Sequence, residues 1–484
     1  MAKSAKAPIK AGTARKPAAA KRVRRRPDFP NYHAALKYLL DHVDIERLRP
    51  SRVDKAVFAL DRMQALLKAL DNPHEDLRCV HVAGTNGKGS VVAMVSSCLQ
   101  ACGYAVGTYT SPHLTDIRER VCINDQLISH PAFVTLMSEI ARAVDSLPKK
   151  FDPPTFFELV TALGLLRFAE QAVDVAVIEV GMGGRLDSTN VITPEVSVVT
   201  SIALDHTQFL GDTIGAIARE KAGIFKPGIP AMTHEQEKEA IEALSSVAAA
   251  VGAPFEVVGK DVEFSYRFES NPNIGPHTRV GLSGDKLNFE HLPVPLKGEH
   301  QAFNCGLALA ALDKLAVRGL EIDVRRATEG LAGTRHPGRM ELVSTQPRIL
   351  VDGAHNPAAI SSLIRSVGAH VPYDSMVMVF GCAADKDVDE LLRRVALGAD
   401  KVIFTKARNN PRAMEPAELS RRFYDLCGKM NQTAPTLDEA MAIAIRAAGR
   451  DDLIVITGSF YLVGEAKKLL TARTDRAAAP AEQP

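Results

Sequence analysis

A run of glycines around one lysine, Gly84-Thr85-Asn86-Gly87-Lys88-Gly89-Ser90, has residue types suited to holding phosphate. It follows a short β-rich run and precedes an apolar-periodic run that predicts a helix. Glycines let backbone N–H groups approach an anion, the helix N-terminus favours negative charge, and the lysine adds a point charge. The commonest nucleotide-binding loop has glycine where Val82 stands here and a hydroxyl residue where Gly89 stands. The pattern therefore predicts a phosphate loop of an uncommon kind.

Polar side chains follow three other predicted strands. Ser111 comes after the strand Tyr104–Tyr109, Glu179 ends the apolar run 173–180, and Asp205-His206 follows the run 196–202. In an open parallel sheet, ligands bind outside the carboxyl ends of the strands. A hydroxyl, a carboxylate and an imidazole can complete a Mg²⁺ shell around nucleotide phosphates. Since Gly89 lacks the usual hydroxyl, we predict that Ser111 replaces it.

Each of these residues also has a purely structural interpretation. Glu179 could cap a helix or pair with Arg185, and His206 could be a hydrogen-bonded loop histidine. Lys221, on a predicted helix, would ordinarily be a solvated charge. The residues gain weight as a set because their loops fall on one predicted edge of the sheet.

The second half of the chain repeats the arrangement at Asp352-Gly353-Ala354-His355-Asn356-Pro357, which again ends a predicted strand in polar residues. Arg339 stands just before it. If the two halves face each other, these residues meet the nucleotide across a cleft. An Asx-type turn at Asp352 and a helix start at Pro357 are structural alternatives compatible with that role.

The elements that position these residues alternate between helix and strand. Continuous apolar strands predict a buried parallel sheet in each half, so we expect an α/β protein with two doubly wound units. The segment Ala332–Gly338, rich in Gly and Pro, predicts the joint between them. The predicted units are a phosphate-loop ATPase domain over 28–333 and a smaller Rossmann-like domain over 339–474, with tails at 1–27 and 475–484. The region 255–296 predicts small antiparallel pieces.

The composition is that of a globular protein. The chain has 484 residues, 46% hydrophobic and 24% charged. No stretch reaches ~18 uninterrupted apolar residues, so no membrane span is expected. Seven cysteines are scattered without metal-binding spacing, which favours the reducing cytoplasm.

The net charge of +2 hides an asymmetry. Residues 1–27 hold ten Lys or Arg and no acid, which leaves 49 basic against 57 acidic groups in the remainder. This tail is too poor in large apolar residues to order itself and has no apolar core for a secretory signal. We interpret it as a disordered solvated arm; a transit peptide or a non-specific nucleic-acid contact are the alternatives.

Taken together, the motifs resemble those of the folylpolyglutamate synthase/dihydrofolate synthase family, within the Mur ligase superfamily, and favour its bifunctional bacterial type. The resemblance covers about residues 35–470 and rests on the segments 84–90, 109–114, 179–190, 203–206, 220–224 and 352–357, in family order. It implies MgATP-driven phosphorylation of a pterin-containing acid. The acyl phosphate then reacts with the amine of L-glutamate to form an amide.

The resemblance also implies roles for individual residues. Lys88, Lys221 and His355 would be catalytic, with Lys221 carboxylated by CO₂ so that it reaches a second Mg²⁺. ATP would be bound by Asn86, Gly87, Lys88, Gly89, Asn304, Arg339 and Asp352. The Mg²⁺ ligands would be Ser111, Glu179 and His206. The pterin would be bound by Thr155, Phe156, Phe157, Glu158, Arg185, Leu186 and Asp187, and the segment Asp44–Leu48 matches the family weakly.

The expected activity is conversion of dihydropteroate to dihydrofolate together with polyglutamylation of tetrahydrofolate. The alternatives are polyglutamylation alone, a peptidoglycan-precursor ligase of the same superfamily, and a regulatory nucleotide-binding protein whose tail binds nucleic acid. The expected partners are small molecules only, namely dihydropteroate or tetrahydrofolate, L-glutamate and ATP. We expect no membrane, no specific nucleic acid and a monomeric protein.

Overall fold

An eight-stranded sheet forms the centre of the N-terminal domain. The computed structural model describes residues 28–48, 60–408 and 410–478. The sheet order is β4-β3-β2-β5-β1-β6-β7-β8. The strands β2, β5, β1, β6, β7 and β8 are parallel to one another. At one edge, β3 and β4 form a hairpin that is antiparallel to β2. The strands are β1 Cys79–Ala83, β2 Val106–Tyr109, β3 Val121–Ile123, β4 Gln126–Leu127, β5 Val175–Glu179, β6 Val196–Val199, β7 Ala231–His234 and β8 Phe255–Val258.

Helices cover both faces of this sheet. They are α1 Tyr32–Leu40, α2 Leu60–Ala69, α3 Lys88–Ala101, α4 His130–Asp145, α5 Phe156–Glu170, α6 Thr207–Leu210, α7 Ile214–Ala222, α8 Lys238–Val251, α9 Glu299–Val317 and α10 Val324–Ala332. Successive residues of a strand point to opposite faces. Accordingly Val80 and Val82 pack with α3 and α9, whereas Cys79 packs with α2 and α5. Burial on both faces explains the uninterrupted apolar character of these strands.

A three-stranded antiparallel sheet packs against α9. It consists of β9 Glu263–Asn271, β10 Gly275–Ser283 and β11 Asn288–Pro293. Its link to α9 is Asp313, a buried carboxylate that accepts backbone N–H bonds from Asp285, Lys286 and Leu287. This confirms the antiparallel pieces expected in 255–296, except that β8 belongs to the main parallel sheet.

The C-terminal domain is built on a six-stranded sheet of order β12-β13-β17-β14-β15-β16. Only β12 is antiparallel to its neighbour. The strands are β12 Glu341–Thr345, β13 Arg348–Val351, β14 Met376–Phe380, β15 Lys401–Phe404, β16 Gln432–Thr433 and β17 Leu453–Thr457. The helices are α11 Pro357–His370, α12 Val388–Gly398, α13 Pro416–Cys427, α14 Leu437–Ala447 and α15 Phe460–Ala478.

One contact between the two domains is made by His370 of the C-terminal domain. His370, at the end of α11, is buried and accepts a 3.1 Å hydrogen bond from the Gly298 N–H on Nε2. Its Nδ1 lies 2.9 Å from the carbonyl oxygen of Pro276, to which it donates. The C-terminal domain is thereby held against β10 and the start of α9.

The expected fold class is confirmed: both domains are α/β with mainly parallel sheets. The sequence pattern missed β7, α8 and the edge strands β12 and β16. The last helix continues to Ala478, which corrects the predicted tail that was to begin at 475. The predicted tail 1–27 and residues 479–484 of the other predicted tail lie outside the described residues. In the part of the chain that is described, no helix is long and apolar enough to cross a membrane.

Candidate active site

The phosphate loop connects β1 to α3, and its shape is fixed by contacts with the strand next to it. The Thr85 and Asn86 N–H groups donate to the Ser201 carbonyl oxygen, at 2.8 and 3.3 Å. Thr200 Oγ1 donates to the Asn86 carbonyl at 2.7 Å. Gly87 has φ +94°, and a Cβ there would lie 2.3 Å from Asn304 Oδ1. Glycine is therefore needed both for the backbone conformation and for the close approach of α9.

Gly89, which stands where the commonest loop has a hydroxyl residue, lies against a histidine ring. A Cβ at Gly89 would lie 2.9 Å from the ring of His336, which belongs to the segment joining the two domains. It would also lie 3.6 Å from Glu179 Oε2. Burial lowers the pKa of His336 to about 3, so this ring is neutral near neutral pH. The ring fills the space that a serine or threonine side chain would otherwise take.

Two lysines, a buried one and a half-buried one, meet at the start of the loop. Lys88 Nζ donates to the Gly84 carbonyl at 3.1 Å, and Lys221 Nζ donates to the same oxygen at 2.9 Å. Burial, together with the positive charge of Lys88, lowers the pKa of Lys221 to about 7. The pKa of Lys88 is also lowered by burial, although Glu179 and Asp205 oppose that shift. Lys221 is therefore buried beside the phosphate loop and is not a solvated helix charge.

The three predicted Mg²⁺ ligands, Ser111, Glu179 and His206, all line the cleft between the domains. The Ser111 N–H donates to Glu179 Oε2 at 3.1 Å, which places the Ser111 loop directly against the end of β5. His206 adopts φ +49°, a strained conformation for a residue with a side chain, and burial lowers its pKa to about 3. It is therefore a neutral imidazole, the form that can bind a metal.

This donor set fits Mg²⁺ as a partial shell. Serine and carboxylate oxygens are hard ligands, and Mg²⁺ usually keeps waters and phosphate oxygens at its other positions. Among the residues described, no three His, Cys, Asp or Glu side chains converge into a complete metal site. The protein groups therefore suit an ion that arrives with nucleotide phosphates.

Asp205 joins the two domains at the mouth of the phosphate loop. Its carboxylate accepts a hydrogen bond from Asn356 Nδ2 at 3.2 Å and forms an ion pair with Lys386, both from the C-terminal domain. His355 Nε2 lies 3.6 Å from the same carboxylate. Burial by itself would raise the pKa of Asp205, but its charged neighbours, Lys386 among them, hold that pKa well below its ordinary value. Asn356 and Asn86 also exchange amide hydrogen bonds of 3.0 and 3.3 Å.

A second cavity opens on the other side of the loop and holds the remaining predicted ATP residues. Asn304, Arg339 and Asp352 line it, together with Asn86 and Gly87. The Arg339 guanidinium stacks 4.5 Å from the Phe460 ring centre and also borders the first cleft. Asp352 accepts the Met340 and Ala354 N–H groups, which is the turn considered as its structural alternative.

Of the two phenylalanines predicted to face the pterin, the structure brings only Phe157 to the cleft. Phe156 is 1% exposed and packs in the core, with Arg120 over its ring. A Cβ on Gly181 would lie only 2.3 Å from the Phe157 ring. The glycine at position 181 therefore permits this ring position. Thr155 and Glu158 line the cleft but form a capping box at the start of α5.

The other predicted pterin residues differ in position. Leu186 and Asp187 line the cleft, whereas Arg185 is 55% exposed and pairs with Glu220. Asp187 accepts the Met182 N–H at 2.9 Å and the Thr189 hydroxyl at 2.6 Å, and so shapes the loop after β5. Glu158 pairs with Arg62, another buried residue, at 2.8 Å.

Sequence reasoning missed the groups that the C-terminal domain brings to the cleft. They are Lys386, Asn410, Arg412, Ser459, Phe460 and Tyr461. Lys386 follows the buried strand β14, and Asn410 and Arg412 follow β15, so the strand-end rule applied to the first domain would have found them. The cleft thus combines a phosphate loop, several cations and an apolar wall, and its low dielectric strengthens each charge acting on a phosphoryl group.

Comparison with known proteins gives matches over most of the chain. Residues 82–312 match the Mur ligase middle domain, and residues 338–460 match the Mur ligase glutamate ligase domain. A Bacillus subtilis relative named dihydrofolate synthase/folylpolyglutamate synthase is 34% identical, over 85% of this chain and 94% of that one. The Mycobacterium tuberculosis folylpolyglutamate synthase structure complexed with ADP has a TM-score of 0.81 and 33% identity, over 91% of this chain and 99% of that one.

Two of the relatives are longer proteins, of which this chain spans about half. A Halobacterium salinarum protein named probable bifunctional folylpolyglutamate synthase/dihydropteroate synthase is 37% identical over 85% of this chain. The chain spans about half of that relative, 49% of its length.

Proposed function

The chain belongs to the folylpolyglutamate synthase/dihydrofolate synthase family of Mur-type ligases, and from that premise we propose that it is the bifunctional enzyme. It is an ATP-dependent ligase that adds L-glutamate to pterin acids. As the bifunctional type it converts dihydropteroate to dihydrofolate and extends tetrahydrofolate with further glutamates. The observation that carries this proposal is one continuous cleft, lined at one place by Gly84–Gly89 and at another by Phe157 and Leu186.

The reaction requires a carboxylate to become a good electrophile. A carboxylate oxygen of the pterin acid attacks the γ-phosphorus of ATP, and ADP leaves. The amine of L-glutamate then attacks the acyl carbon of the resulting acyl phosphate. Inorganic phosphate departs, the amine loses a proton, and an amide remains. The protein's part is to position the groups and to neutralise the phosphoryl oxygens.

In our proposal, the cations around the phosphate loop neutralise the phosphoryl oxygens. Lys88 acts on the transferred phosphoryl group, and the loop N–H groups hold the phosphates. Arg339 borders both cavities, which suits a contact with the nucleotide phosphates. Asn304, which lines the second cavity, is assigned to the nucleotide base in this proposal, and His355, which lies 3.6 Å from Asp205, is assigned to the phosphoryl group.

We also propose that Mg²⁺ is held by Ser111, Glu179 and His206, with two ions in the working enzyme. The buried carboxylate of Glu179 and the neutral imidazole of His206 are suited to this role. When bound, Mg²⁺ would neutralise phosphate oxygens and fix their orientation.

Lys221 is proposed to carry a carboxyl group on Nζ. Its pKa of about 7 leaves much of the amine uncharged at neutral pH, and only the uncharged amine reacts with CO₂. The reaction forms an N–C bond and releases one proton, so a cation becomes an anion. An anion at this position, next to the Gly84 carbonyl, would extend the metal site toward a second ion.

Two other activities are the alternatives. A monofunctional folylpolyglutamate synthase would use the same cleft without accepting dihydropteroate. A peptidoglycan-precursor ligase would need UDP-muramyl substrates, and the family match to folate ligases weighs against it.

The deciding experiment compares substrates under one set of conditions. Purified protein, MgATP and L-glutamate are incubated with dihydropteroate, tetrahydrofolate or a UDP-muramyl substrate, and the amide product is measured by mass spectrometry. We expect product with the first two. Product from tetrahydrofolate alone would reduce the proposal to polyglutamylation, and product from the third alone would refute it.

The enzyme is further proposed to work as a monomer in the cytoplasm, with its domains divided near residues 333–339. All the cleft residues named above come from one chain, and the seven cysteines are free thiols, as a reducing compartment requires. Light scattering at micromolar concentration with and without MgATP tests the monomer.

A further inference from the structure

The loop Asp44–Leu48, which we call the cover loop, closes one side of the cleft. Ile45, Glu46 and Leu48 line the cleft together with the apolar wall that includes Phe157. The loop is tied to the start of α5, because the Phe156 N–H donates to the Val43 carbonyl at 3.0 Å. It therefore lies on the side assigned above to the pterin acid, away from the nucleotide cavity.

Within the N-terminal domain the cover loop is anchored by one ion pair. Arg120, 1% exposed, holds both carboxylate oxygens of Glu46 with its two Nη atoms, and its Nε donates to His113 Nδ1 at 3.0 Å. The Glu46 N–H donates to Asp44 Oδ1 at 3.0 Å. These bonds use the side chain and the N–H of Glu46 and leave its carbonyl for another donor.

The donor to that carbonyl comes from the C-terminal domain. Arg412 Nη1 lies 2.7 Å from the Glu46 carbonyl oxygen, to which it donates. Its Nε and Nη2 are held by Asp385, and both side chains are largely buried, 12% and 14% exposed. A planar guanidinium directs two N–H groups at the carboxylate and a third at the carbonyl in fixed directions, a geometry that a lysine ammonium does not reproduce.

The anchoring of Arg412 places it on the same structural unit as Lys386. Residues 382–384 pair with 412–414 through backbone hydrogen bonds, and Asp385-Lys386 follows directly. Lys386 contacts Asp205 at the phosphate loop while Arg412 contacts the cover loop. One pair of loops, joined by backbone hydrogen bonds, thus touches the N-terminal domain at both sides of the cleft.

We propose that Arg412 is a positioning residue: when the C-terminal domain docks, its hydrogen bond to Glu46 sets the cover loop against the pterin acid. Domain docking and closure over the acid substrate are then a single event. The proposal rests on the proposed function for the identity of the substrate, but the contact itself is a property of the fold.

Two measurements on the full-length protein test it. The first is amide hydrogen exchange of residues 43–48, with AMP-PNP and Mg²⁺ present, in the wild type, Arg412→Gln and Arg412→Lys. We expect faster exchange of the cover loop in both variants, with the phosphate loop unchanged. This readout requires no catalysis, so it stands even if the proposed activity fails. Equal exchange in all three proteins would overturn the proposal.

The second measurement is the steady-state kinetics of the same variants. For both variants we expect KM for the pterin acid to rise about tenfold, with kcat and KM for ATP and L-glutamate nearly unchanged, in keeping with a lost charged hydrogen bond. A rise in KM for L-glutamate instead would make Arg412 a ligand of that substrate and refute the positioning role. If Arg412→Lys kept the wild-type KM for the pterin acid while Arg412→Gln did not, the need for a planar guanidinium would be refuted.

Arg408→Gln is the matched control. Arg408 stands in the same region after β15 but is 62% exposed and pairs with Asp438 and Glu465, both of the C-terminal domain. It should leave exchange and kinetics unchanged. If Arg412→Gln proves too unstable to purify, Asp385→Asn releases the guanidinium while leaving the arginine in place. The same rise in KM for the pterin acid is expected, and its absence would refute the proposal.

Discussion

Lys221 Nζ donates a 2.9 Å hydrogen bond to the carbonyl of Gly84, the first residue of the phosphate loop. Lys88 donates to the same oxygen, so one carbonyl separates two amines. This contact ties α7 to the phosphate loop and explains how a lysine on an ordinary-looking helix comes to line the cleft.

Replacing Lys221 by alanine should lower turnover by about 10²-fold or more, in line with loss of a preorganised group acting on the phosphoryl centre. ATP binding, measured by isothermal titration, should change little because the loop N–H groups remain. Lys238→Ala, a change at an exposed position on α8, is the control. Full turnover in Lys221→Ala would contradict the proposed role.

Carboxylation of Lys221 should depend on pH in a defined direction. The pKa of Lys221 is lowered to about 7, so the amine is protonated below that pH and free to react above it. With ¹³C-bicarbonate, the carbamate NMR signal of the wild type should therefore grow as pH rises from 6 to 8. The signal should be missing in Lys221→Ala; a signal of equal size there would assign it to another amine.

Lys386→Met should lower kcat by about 10²-fold, because it removes a cation from the cleft and leaves the buried Asp205 carboxylate without its ion-pair partner. The measurement is single-turnover kinetics with saturating ATP. Lys406→Met is the control, since Lys406 pairs with exposed Glu415 on the surface. Unchanged kcat in Lys386→Met would show that the contact with Asp205 is dispensable.

Phe156→Ala and Phe157→Ala form a natural pair with opposite expected effects. Phe157 lines the cleft, so its loss should raise KM for the pterin acid about tenfold with a small change in melting temperature. Phe156 is buried, so its loss should cost about 3–5 kcal/mol of stability by leaving a cavity. Thermal melts and KM values for both variants check this assignment, and the reverse pattern would contradict it.

His370→Gln should lower the melting temperature at pH 7.5, because His370 bonds both Gly298 and Pro276 across the domain interface. Burial lowers the pKa of His370 below its ordinary value, so the unfolded chain takes up a proton at a higher pH than the folded one. Acidification therefore removes the stabilisation, and the two proteins should melt closer together at pH 5.5. A difference that grows on acidification would refute this reading.

Much of the site could be predicted because the carboxyl ends of parallel strands share an edge. Ser111, Glu179 and His206 follow β2, β5 and β6, and the structure brings all three to one cleft. Their roles as metal ligands remain predictions. Lys221 could not be placed from its helix pattern alone, since the spacing of a helix does not reveal which charge is buried.

What escaped prediction depends on how the domains meet. The positions of Lys386 and Arg412 after strands mark them as candidates, but no sequence pattern pairs them with Asp205 and Glu46, which lie in the other domain. The two adjacent phenylalanines could not be separated either, because facing the cleft or the core depends on where α5 begins. The interface contacts are products of tertiary packing, which a local pattern cannot encode.

The ring of His336 beside Gly89 limits how this phosphate loop could be exchanged for another. A transplanted loop of the commonest type would bring a hydroxyl side chain into space already filled by the segment joining the domains. Grafting would therefore require the His336 ring to move or the joining segment to be changed with the loop. A change at position 89 of the loop and a change at His336 of the joining segment therefore restrict each other.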